Sequence, residues 1–408
     1  MAALIFRRPM NAQDPLPFSR WLRGWDEPVV LFTLDPNPED EYFDHVERFE
    51  SFDEHGLTEL RALELAEQFS FSRIFAQSEH DILRAAELRR WLGLPGQSYD
   101  SALGYRDKVE MKTLARAGGV ATPVFAALAT PLDLHRFALA KGFPIVVKPR
   151  RGAGSRGVQV IGSLGEMKRF LERPLPPHYM VEAYVDGPSF HVDGLASDGA
   201  IIFACASRYM NDCLAFQTGK SLGSILMDSQ DPLALRLQAE AGRLIAALPR
   251  APHIAFHAEF FLDKADRLLL CEVACRPGGS GIADMIQVAH GFNLYEQWVR
   301  RSFGLPIELP TGDARGSAGS LLIPPRPGRL RALPAKTPFD WVVDYRPNSE
   351  PDKIWQAPSF STANIASFII AGRDAAEVEA RMRLVDRWFR ERVGWDENAR
   401  SHGMQVEA

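Results

Sequence analysis

A glycine-rich segment between two strand-like runs is the feature that most limits how this chain can fold. The segment reads KPRRGAGSRG from Lys148 onward, and Gly152, Gly154 and Gly157 match the pattern GxGxxG. In a dinucleotide-binding fold that pattern follows a strand and opens a helix, because the helix N-terminus carries the pyrophosphate. Here FPIVVKP precedes the glycines and VQVI follows them, so both flanks are predicted strands. The pattern therefore predicts a hairpin with a flexible glycine flap instead of a dinucleotide fingerprint.

Such a flap can fold its backbone N–H groups over phosphates, with Lys148 at its base as a point charge. We expect this arrangement to serve ATP. A protein kinase also covers ATP with a glycine flap, but its lysine lies on a strand after the flap, and this sequence has no HRD or DFG element. Taken alone, the segment leaves open an ordinary basic hairpin turn.

The overall composition favours small-molecule chemistry. Lys and Arg total 47 against 52 for Asp and Glu, a net charge of -5, so the chain lacks the basic field of a nucleic-acid binder. No stretch of apolar residues approaches the length that spans a membrane. The apolar run at the N-terminus is too short for the core of a signal peptide. We therefore expect a cytoplasmic protein, and 408 residues allow two or three domains.

The four cysteines, Cys205, Cys213, Cys271 and Cys275, form no CxxC pair and have no zinc-like spacing. Alternation along a predicted strand places Cys271 and Cys275 on the face opposite the chemistry. We expect reduced thiols without a function.

The order of strand-like and helical patterns predicts four regions. Residues 1–100 alternate strands with helices, including a helix over Leu57–Phe69, which is typical of a small parallel α/β domain. A helix over Ser101–Ala117 is expected to link it to an α+β part built from short strands. That part divides into 101–185 with the glycine flap, 186–303 with an acidic hairpin, and 304–408, which completes or covers the substrate site.

The acidic hairpin is the segment HAEFFLDKADRLLLCEVACR. If it turns at Ala265-Asp266, Glu259 lies opposite Glu272 and His257 lies opposite Ala274. Directly opposed carboxylates have Cβ atoms only about 5 Å apart and repel each other, and a bound cation removes the repulsion. Mg²⁺ prefers a few carboxylates plus waters and phosphates. We therefore expect a magnesium site here, although a solvated surface pair remains the alternative.

Alternation along the same hairpin divides its side chains between two faces. Arg276 is expected on the face of the glutamates, two strand steps beyond them. The apolar residues Phe260, Leu262, Leu269, Cys271 and Val273 are expected on the reverse face, in the core.

These features, in this order, resemble the ATP-grasp superfamily of carboxylate-amine ligases. The resemblance is carried by Lys108 in YRDKVEMKTLARAGGVATP, by Lys148 and its flap, by the strand MVEAYVDG, and by the glutamates in HAEFF and CEVACRPGGSG. It covers roughly Ala2 to Phe303. It implies an ATP-grasp fold, α/β and α+β, preceded by an N-terminal Rossmann-like domain.

The resemblance also implies a set of site residues. ATP phosphates are contacted by Lys108, Lys148 and the flap residues Gly152, Gly154, Ser155 and Gly157. The adenine lies along Glu182, Ala183, Tyr184 and Val185, largely against backbone groups, with Val185 giving its N–H to the base. The ligands of Mg²⁺, or of Mn²⁺ in its place, are Glu259 and Glu272. The catalytic residues are Arg276, which stabilises an acyl phosphate, and Lys148.

Two positions depart from the family pattern. Ser189 stands where a glutamate often holds the ribose hydroxyls, and Ala274 stands where an asparagine commonly binds metal. We expect His257, opposite Ala274, to help fill that place.

The expected activity is an ATP-dependent, ADP-forming ligase that joins a carboxylate to an amine through an acyl phosphate, with an amino acid as one substrate. Two alternatives stay open, a bicarbonate-using carboxylase of the same superfamily and a non-catalytic nucleotide-binding module. The expected partners are the small-molecule carboxylate and amine and, for a protein assembly, a homodimer. Neither nucleic acid nor a membrane is expected as a partner.

Overall fold

The computed structural model describes residues 1–8, 16–36, 39–54, 56–212, 214–310, 312 and 314–396. Cys213 lies outside these residues. None of the described helices has both the length and the apolar character needed to cross a membrane.

The N-terminal region forms a parallel four-stranded sheet with the strand order β3-β2-β1-β4. Its strands are β1 (Ala2–Arg7), β2 (Val29–Thr33), β3 (His45–Arg48) and β4 (Phe71–Ala76). Its helices are α1 (Phe18–Trp21), α2 (Leu57–Phe69) and α3 (Ile82–Leu92). Apolar clusters cover both faces, since Leu4 packs in one and Ile5 in the other. The predicted parallel α/β unit is confirmed.

The prediction of a single helix over Ser101–Ala117 is wrong, because the segment forms two helices. These are α4 (Tyr99–Arg106) and α5 (Lys108–Ala117). Asp107 between them has extended backbone angles, and its side chain accepts hydrogen bonds from the N–H groups of Val109 and Glu110. This N-cap starts a new helix, so Lys108 lies at the beginning of α5.

The glycine flap belongs to a second four-stranded sheet, antiparallel, with the order β5-β8-β6-β7. Its strands are β5 (Phe125–Leu128), β6 (Ile145–Pro149), β7 (Gln159–Ile161) and β8 (Tyr179–Ala183). The helices α6 (Pro131–Lys141) and α7 (Leu164–Phe170) accompany it. A strand on each side of the flap confirms the predicted hairpin.

An eight-stranded sheet has the order β13-β12-β9-β10-β11-β14-β18-β16. Its strands are β9 (Ser189–Ser197), β10 (Ala200–Tyr209), β11 (Leu222–Leu226), β12 (His253–Leu262), β13 (Leu268–Ala274), β14 (Ser317–Ile323), β16 (Val342–Pro347) and β18 (Ala366–Gly372). Its helices are α8 (Pro232–Ala247), α9 (Ile282–His290), α10 (Leu294–Ser302) and α11 (Ala375–Arg390). A small sheet contains β15 (Gly328–Ala332), β17 (Ile354–Trp355) and β19 (Gly394–Asp396).

The eight-stranded sheet continues across residue 304. β14, β16 and β18 from the C-terminal region extend it beyond β11. The acidic hairpin lies at the opposite edge, so both predicted regions share one sheet. The division into four regions stays a prediction.

Candidate active site

A slot lined by the flap sheet and the acidic hairpin contains most of the predicted site residues. We call it the nucleotide slot. Its lining includes Lys108, Lys148, Gly152, Ser155, Glu182, Ala183, Tyr184, Val185, Glu259 and Glu272. Apolar side chains, among them Val146, Val160 and Phe261, complete its walls. Residues from distant parts of the sequence thus meet at one site.

A larger cavity of about 1470 Å³ adjoins the slot and shares Gly152 with it. Gly154, Gly157 and Arg276 line this cavity and not the slot. The structure therefore divides the predicted residues between two adjoining spaces, with the flap at their border.

The flap takes a conformation that its glycines allow. Gly154 and Gly157 have φ of +61° and +74°, and a Cβ at Gly157 would come within 2.7 Å of the Tyr179 hydroxyl. Lys108 Nζ donates to the carbonyl of Gly152 at 2.8 Å. From the C-terminal region, the Ser361 N–H donates to the Gly154 carbonyl at 3.0 Å. The flap is thus held from two sides.

The segment Glu182–Val185, which we call the hinge, presents one free backbone donor. The N–H groups of Ala183 and Tyr184 donate to Val124 and Pro144, whereas the N–H of Val185 has no acceptor among the described residues. That free donor beside apolar walls suits the edge of a flat heteroaromatic base.

The Glu182 side chain forms an ion pair in addition to the backbone contacts that were expected at this position. Its carboxylate is buried, and Oε1 lies 2.6 Å from Lys148 Nζ. Burial would lower the pKa of Lys148, but the Glu182 carboxylate raises it well above its ordinary value. The Lys148 ammonium at the base of the flap therefore keeps its charge.

The two glutamates of the hairpin face each other as predicted. Glu259 pairs with Glu272, and His257 pairs with Ala274. Glu272 Oε2 lies 3.0 Å from Lys108 Nζ, and the Tyr209 hydroxyl donates to Glu259 Oε1 at 2.6 Å. Burial would raise the pKa of Glu259, but hydrogen bonds from His257 and Tyr209 lower it to about 2. The described groups thus hold Glu259 as a carboxylate beside Glu272, which is the donor chemistry that Mg²⁺ prefers.

The hairpin register changes just beyond the glutamates, which corrects the predicted division of faces. A β-bulge follows Glu259, so Phe260 pairs with Leu270 and Cys271 is the extra residue. Cys271 consequently lines the nucleotide slot, opposite to the prediction. Leu269 is buried as expected, and the shift also places the fully buried Leu270 in the core. Burial raises the pKa of the Cys271 thiol, which agrees with an unreactive side chain.

A buried polar network beneath Glu259 was not predicted from the sequence. His191, Asp193 and His257 form a cluster whose ligand-type atoms lie within 4.8 Å of one another. One carboxylate oxygen of Asp193 lies 2.5 Å from His191 Nδ1, and the other lies 2.9 Å from His257 Nδ1. His191 Nε2 contacts Ser224, and His257 Nε2 contacts Glu259. Every ring nitrogen already has a partner, so the cluster is a hydrogen-bond network that orients Glu259.

His257 lies opposite Ala274 as predicted, and both of its ring nitrogens contact carboxylates, Nδ1 that of Asp193 and Nε2 that of Glu259. Its expected part in filling the metal place stays a prediction. Burial would lower its pKa, but Asp193 and Glu259 raise it to about 10. The two carboxylates therefore favour the protonated imidazole in the structure as it stands. The sequence signal that could have indicated this network is strand alternation, because His191 and Asp193 are two positions apart and lie on one face of β9.

Arg276 lies just past the end of β13, with a partner that the sequence did not suggest. Its Nε and Nη2 donate to Glu79 Oε1 at 2.7 and 2.5 Å. Arg106 Nη1 lies 3.6 Å from the other oxygen of Glu79. Burial would raise the pKa of Glu79, but Arg276 and Arg106 lower it to about 2. Glu79 from the N-terminal region thereby orients Arg276 at the large cavity.

The glycine segment after Arg276 leads into a helix. Gly281 is the N-cap of α9, so Gly278 to Ser280 precede a helix N-terminus on the wall of the large cavity. Gly278 is required by close packing, because a Cβ there would come within 2.7 Å of Asp193. At the two departures from the expected pattern, Ser189 lines the nucleotide slot and Ala274 is buried.

No protein-family model matches the chain. It is 27% identical over 282 residues to an L-arginine-specific L-amino acid ligase of Bacillus subtilis. The aligned region covers 66% of this chain and 67% of that protein. A match to the D-alanine–D-alanine ligase of Gloeobacter violaceus is 33% identical over 115 residues and covers 26% of this chain and 38% of that one.

Two solved structures share the fold over nearly the whole chain. The L-amino acid ligase from Bacillus licheniformis has a TM-score of 0.80 at 20% identity and covers 97% of this chain and 99% of its own. The N5-carboxyaminoimidazole ribonucleotide synthetase from Thermotoga maritima has a TM-score of 0.68 at 16% identity, with 95% and 98% covered. The shared fold therefore continues beyond Phe303, where only a looser sequence resemblance was expected.

Proposed function

We propose that this chain, a member of the ATP-grasp superfamily by its fold and its sequence relatives, is an ATP-dependent ligase that joins a carboxylate to an amine. One substrate is an amino acid, as the names of the related ligases suggest. The observation that carries the proposal is the composition of one slot, which is lined by part of the flap, two lysines, the hinge and an opposed carboxylate pair.

Each part of the slot suits one part of Mg·ATP. The free N–H of Val185 and the apolar walls suit the adenine, and Lys108, Lys148 and the flap suit the phosphates. Glu259 and Glu272 would hold Mg²⁺, or Mn²⁺ as a substitute hard cation, and the ion supplies charge neutralisation at the phosphates. A structural neighbour whose title includes MgADP, a biotin carboxylase domain, supports this choice of nucleotide and metal.

The large cavity is the proposed place for the two substrates. A substrate carboxylate there attacks the γ-phosphate and forms an acyl phosphate and ADP, and the amine then displaces phosphate. Positioning and charge do most of the work in phosphoryl transfer, so no nucleophilic side chain is required. Arg276, held by Glu79 at the border of the cavity, is the proposed donor to the acyl phosphate.

The proposal extends to the location and the assembly of the protein. We propose a cytoplasmic enzyme, since ATP is its substrate. A homodimer is proposed because a structural neighbour is titled as a dimer.

A screen of the standard amino acids with Mg·ATP and hydroxylamine tests the function. We expect one acid or a small group of acids to give a hydroxamate and ADP, because hydroxylamine captures an acyl phosphate. The Glu272→Gln variant should give no such signal. ADP release that depends on bicarbonate and not on an amino acid would favour the carboxylase instead, and absence of turnover with bound ATP would favour a regulatory module.

A further inference from the structure

Lys112 is a fully buried lysine that has no role in the proposed mechanism. It lies on α5 one helical turn after Lys108, and its side chain has no exposed surface. Its Nζ donates to the carbonyl of Leu270 at 2.7 Å and lies 3.1 Å from Glu182 Oε2. A buried ammonium is costly unless it is paired, so this position needs an explanation.

Glu182 lies between two ammonium groups. Lys112 approaches Oε2, and Lys148 approaches Oε1 at 2.6 Å. The contact to Lys112 is an ion pair without hydrogen-bond alignment, since Oε2 has no hydrogen-bond partner among the described residues. Burial lowers the pKa of Lys112, and the Glu182 carboxylate opposes that effect. We call these three residues the lysine–glutamate triad.

The charges of the triad do not cancel. Lys112 Nζ contacts the Leu270 carbonyl and the Glu182 carboxylate, two acceptors that favour its ammonium form. Two ammonium groups and one carboxylate then leave one positive charge, although each of the three residues is at most 4% exposed. An isolated pair of Lys148 and Glu182 would instead be neutral, and Lys148 would gain little by turning towards an anion. Lys148 and Glu182 line the nucleotide slot, whereas Lys112 is not part of its lining. Lys112 therefore does not contact a ligand in the slot directly, and the slot residue whose side chain it contacts is Glu182.

We propose that Lys112 is a positioning residue that offsets the charge of Glu182, so that Lys148 remains available to bind the polyphosphate of a nucleotide. The inference rests on the nucleotide site of the proposed function. It differs from a purely structural role, in which Lys112 only ties α5 to β13 through the Leu270 carbonyl.

A double-mutant cycle separates the two roles, with affinities for Mg·ATP and for adenosine measured by calorimetry on the full chain. Lys112→Met leaves a neutral pair, so we expect Mg·ATP affinity to fall about tenfold or more, as for the loss of one charge-assisted contact. Glu182→Gln should bind Mg·ATP at least as tightly as wild type. The double variant has one positive charge again, so its affinity should return to within about threefold of wild type.

Adenosine and a surface lysine serve as controls. Adenosine has no phosphate, so its affinity should change less than about threefold in Lys112→Met. Lys168→Met removes one exposed charge of the same sign on α7 and should leave Mg·ATP affinity unchanged. If Lys112→Met does not fold, the Mg·ATP affinity of the double variant is compared with that of the wild type, and a loss of tenfold or more overturns the inference.

The outcomes are distinct. A Lys112→Met variant that binds Mg·ATP like wild type, a double variant at least tenfold weaker than wild type, or an equal loss for adenosine would overturn the inference alone. Wild-type protein that binds no ATP would overturn the proposed function, and the inference with it.

Discussion

Replacing Arg276 by lysine tests the proposed division between nucleotide slot and substrate cavity. The guanidinium donates two N–H groups to Glu79 and a third, Nη1, to the carbonyl of Pro277 at 2.8 Å. Lysine keeps the positive charge but has one nitrogen, which cannot hold Glu79 and reach a phosphoryl oxygen with the same geometry.

The expected magnitude follows from that lost geometry. A hydrogen bond to a charged group contributes about 1.5 to 3 kcal/mol, so we expect a loss near 2.7 kcal/mol of transition-state stabilisation, or about a hundredfold in kcat. The affinity for Mg·ATP should stay within about threefold, because Arg276 lines the large cavity and not the nucleotide slot.

The assay pairs calorimetry of Mg·ATP binding with steady-state ADP release for the acid found in the hydroxamate screen. Arg236→Lys is the matched control, since Arg236 donates to both carboxylate oxygens of Asp266 on the surface and should change neither quantity. An Arg276→Lys variant that loses ATP affinity and keeps kcat at saturation would refute the reasoning, and Arg276 would then be a nucleotide ligand.

Three further predictions follow from other contacts. Glu272→Gln should abolish ADP release while circular dichroism stays native, because the amide loses the charge that would hold Mg²⁺; full activity would make the opposed pair structural only. Phe360→Ala removes the ring that lies 4.6 Å from the Arg156 guanidinium in the flap. We expect KM for ATP to rise about threefold, as for a contact of about 0.5 to 1 kcal/mol, and an unchanged KM would show that the ring does not restrain the flap. The pKa of Glu79 falls from an ordinary 4.5 to about 2, so its stabilising effect is present above pH 4.5 and is lost as pH falls towards 2. Chemical denaturation should show the difference in unfolding free energy between wild type and Glu79→Gln shrinking from about pH 5 to pH 3, and a constant difference would contradict the assignment.

The local elements of the site were predictable where a short pattern determined them. The turn at Ala265-Asp266 set the pairing of Glu259 with Glu272, because a hairpin register follows from its turn. Alternation alone could not reveal the bulge after Glu259, which moved Cys271 into the slot. A bulge changes the count of residues on one strand and leaves no period in the sequence.

The break at Asp107 left a weak sequence signal. Its capping side chain is followed three positions later by Glu110, the spacing of an N-terminal capping box, but the apolar period continued across it. The boundary was therefore hidden within what looked like one helix.

The buried partners of the site residues could not be found from sequence. Glu79 and Arg276 are 197 positions apart, and Asp193 and His257 are 64 apart. Each pair depends on the order of strands in a sheet or on the packing of one region against another. Composition and periodicity do not determine either, so the orientation of Arg276 and of Glu259 became visible only in three dimensions.

Transfer of oxygen from substrate to phosphate is the most direct test of the central claim. The acid identified by the hydroxamate screen is prepared with ¹⁸O in its carboxylate and turned over with Mg·ATP and an amine. If the γ-phosphate forms an acyl phosphate in the large cavity, the released phosphate carries one ¹⁸O atom by mass spectrometry, and ADP is the nucleotide product. Unlabelled phosphate, or AMP and pyrophosphate in place of ADP, would contradict the account.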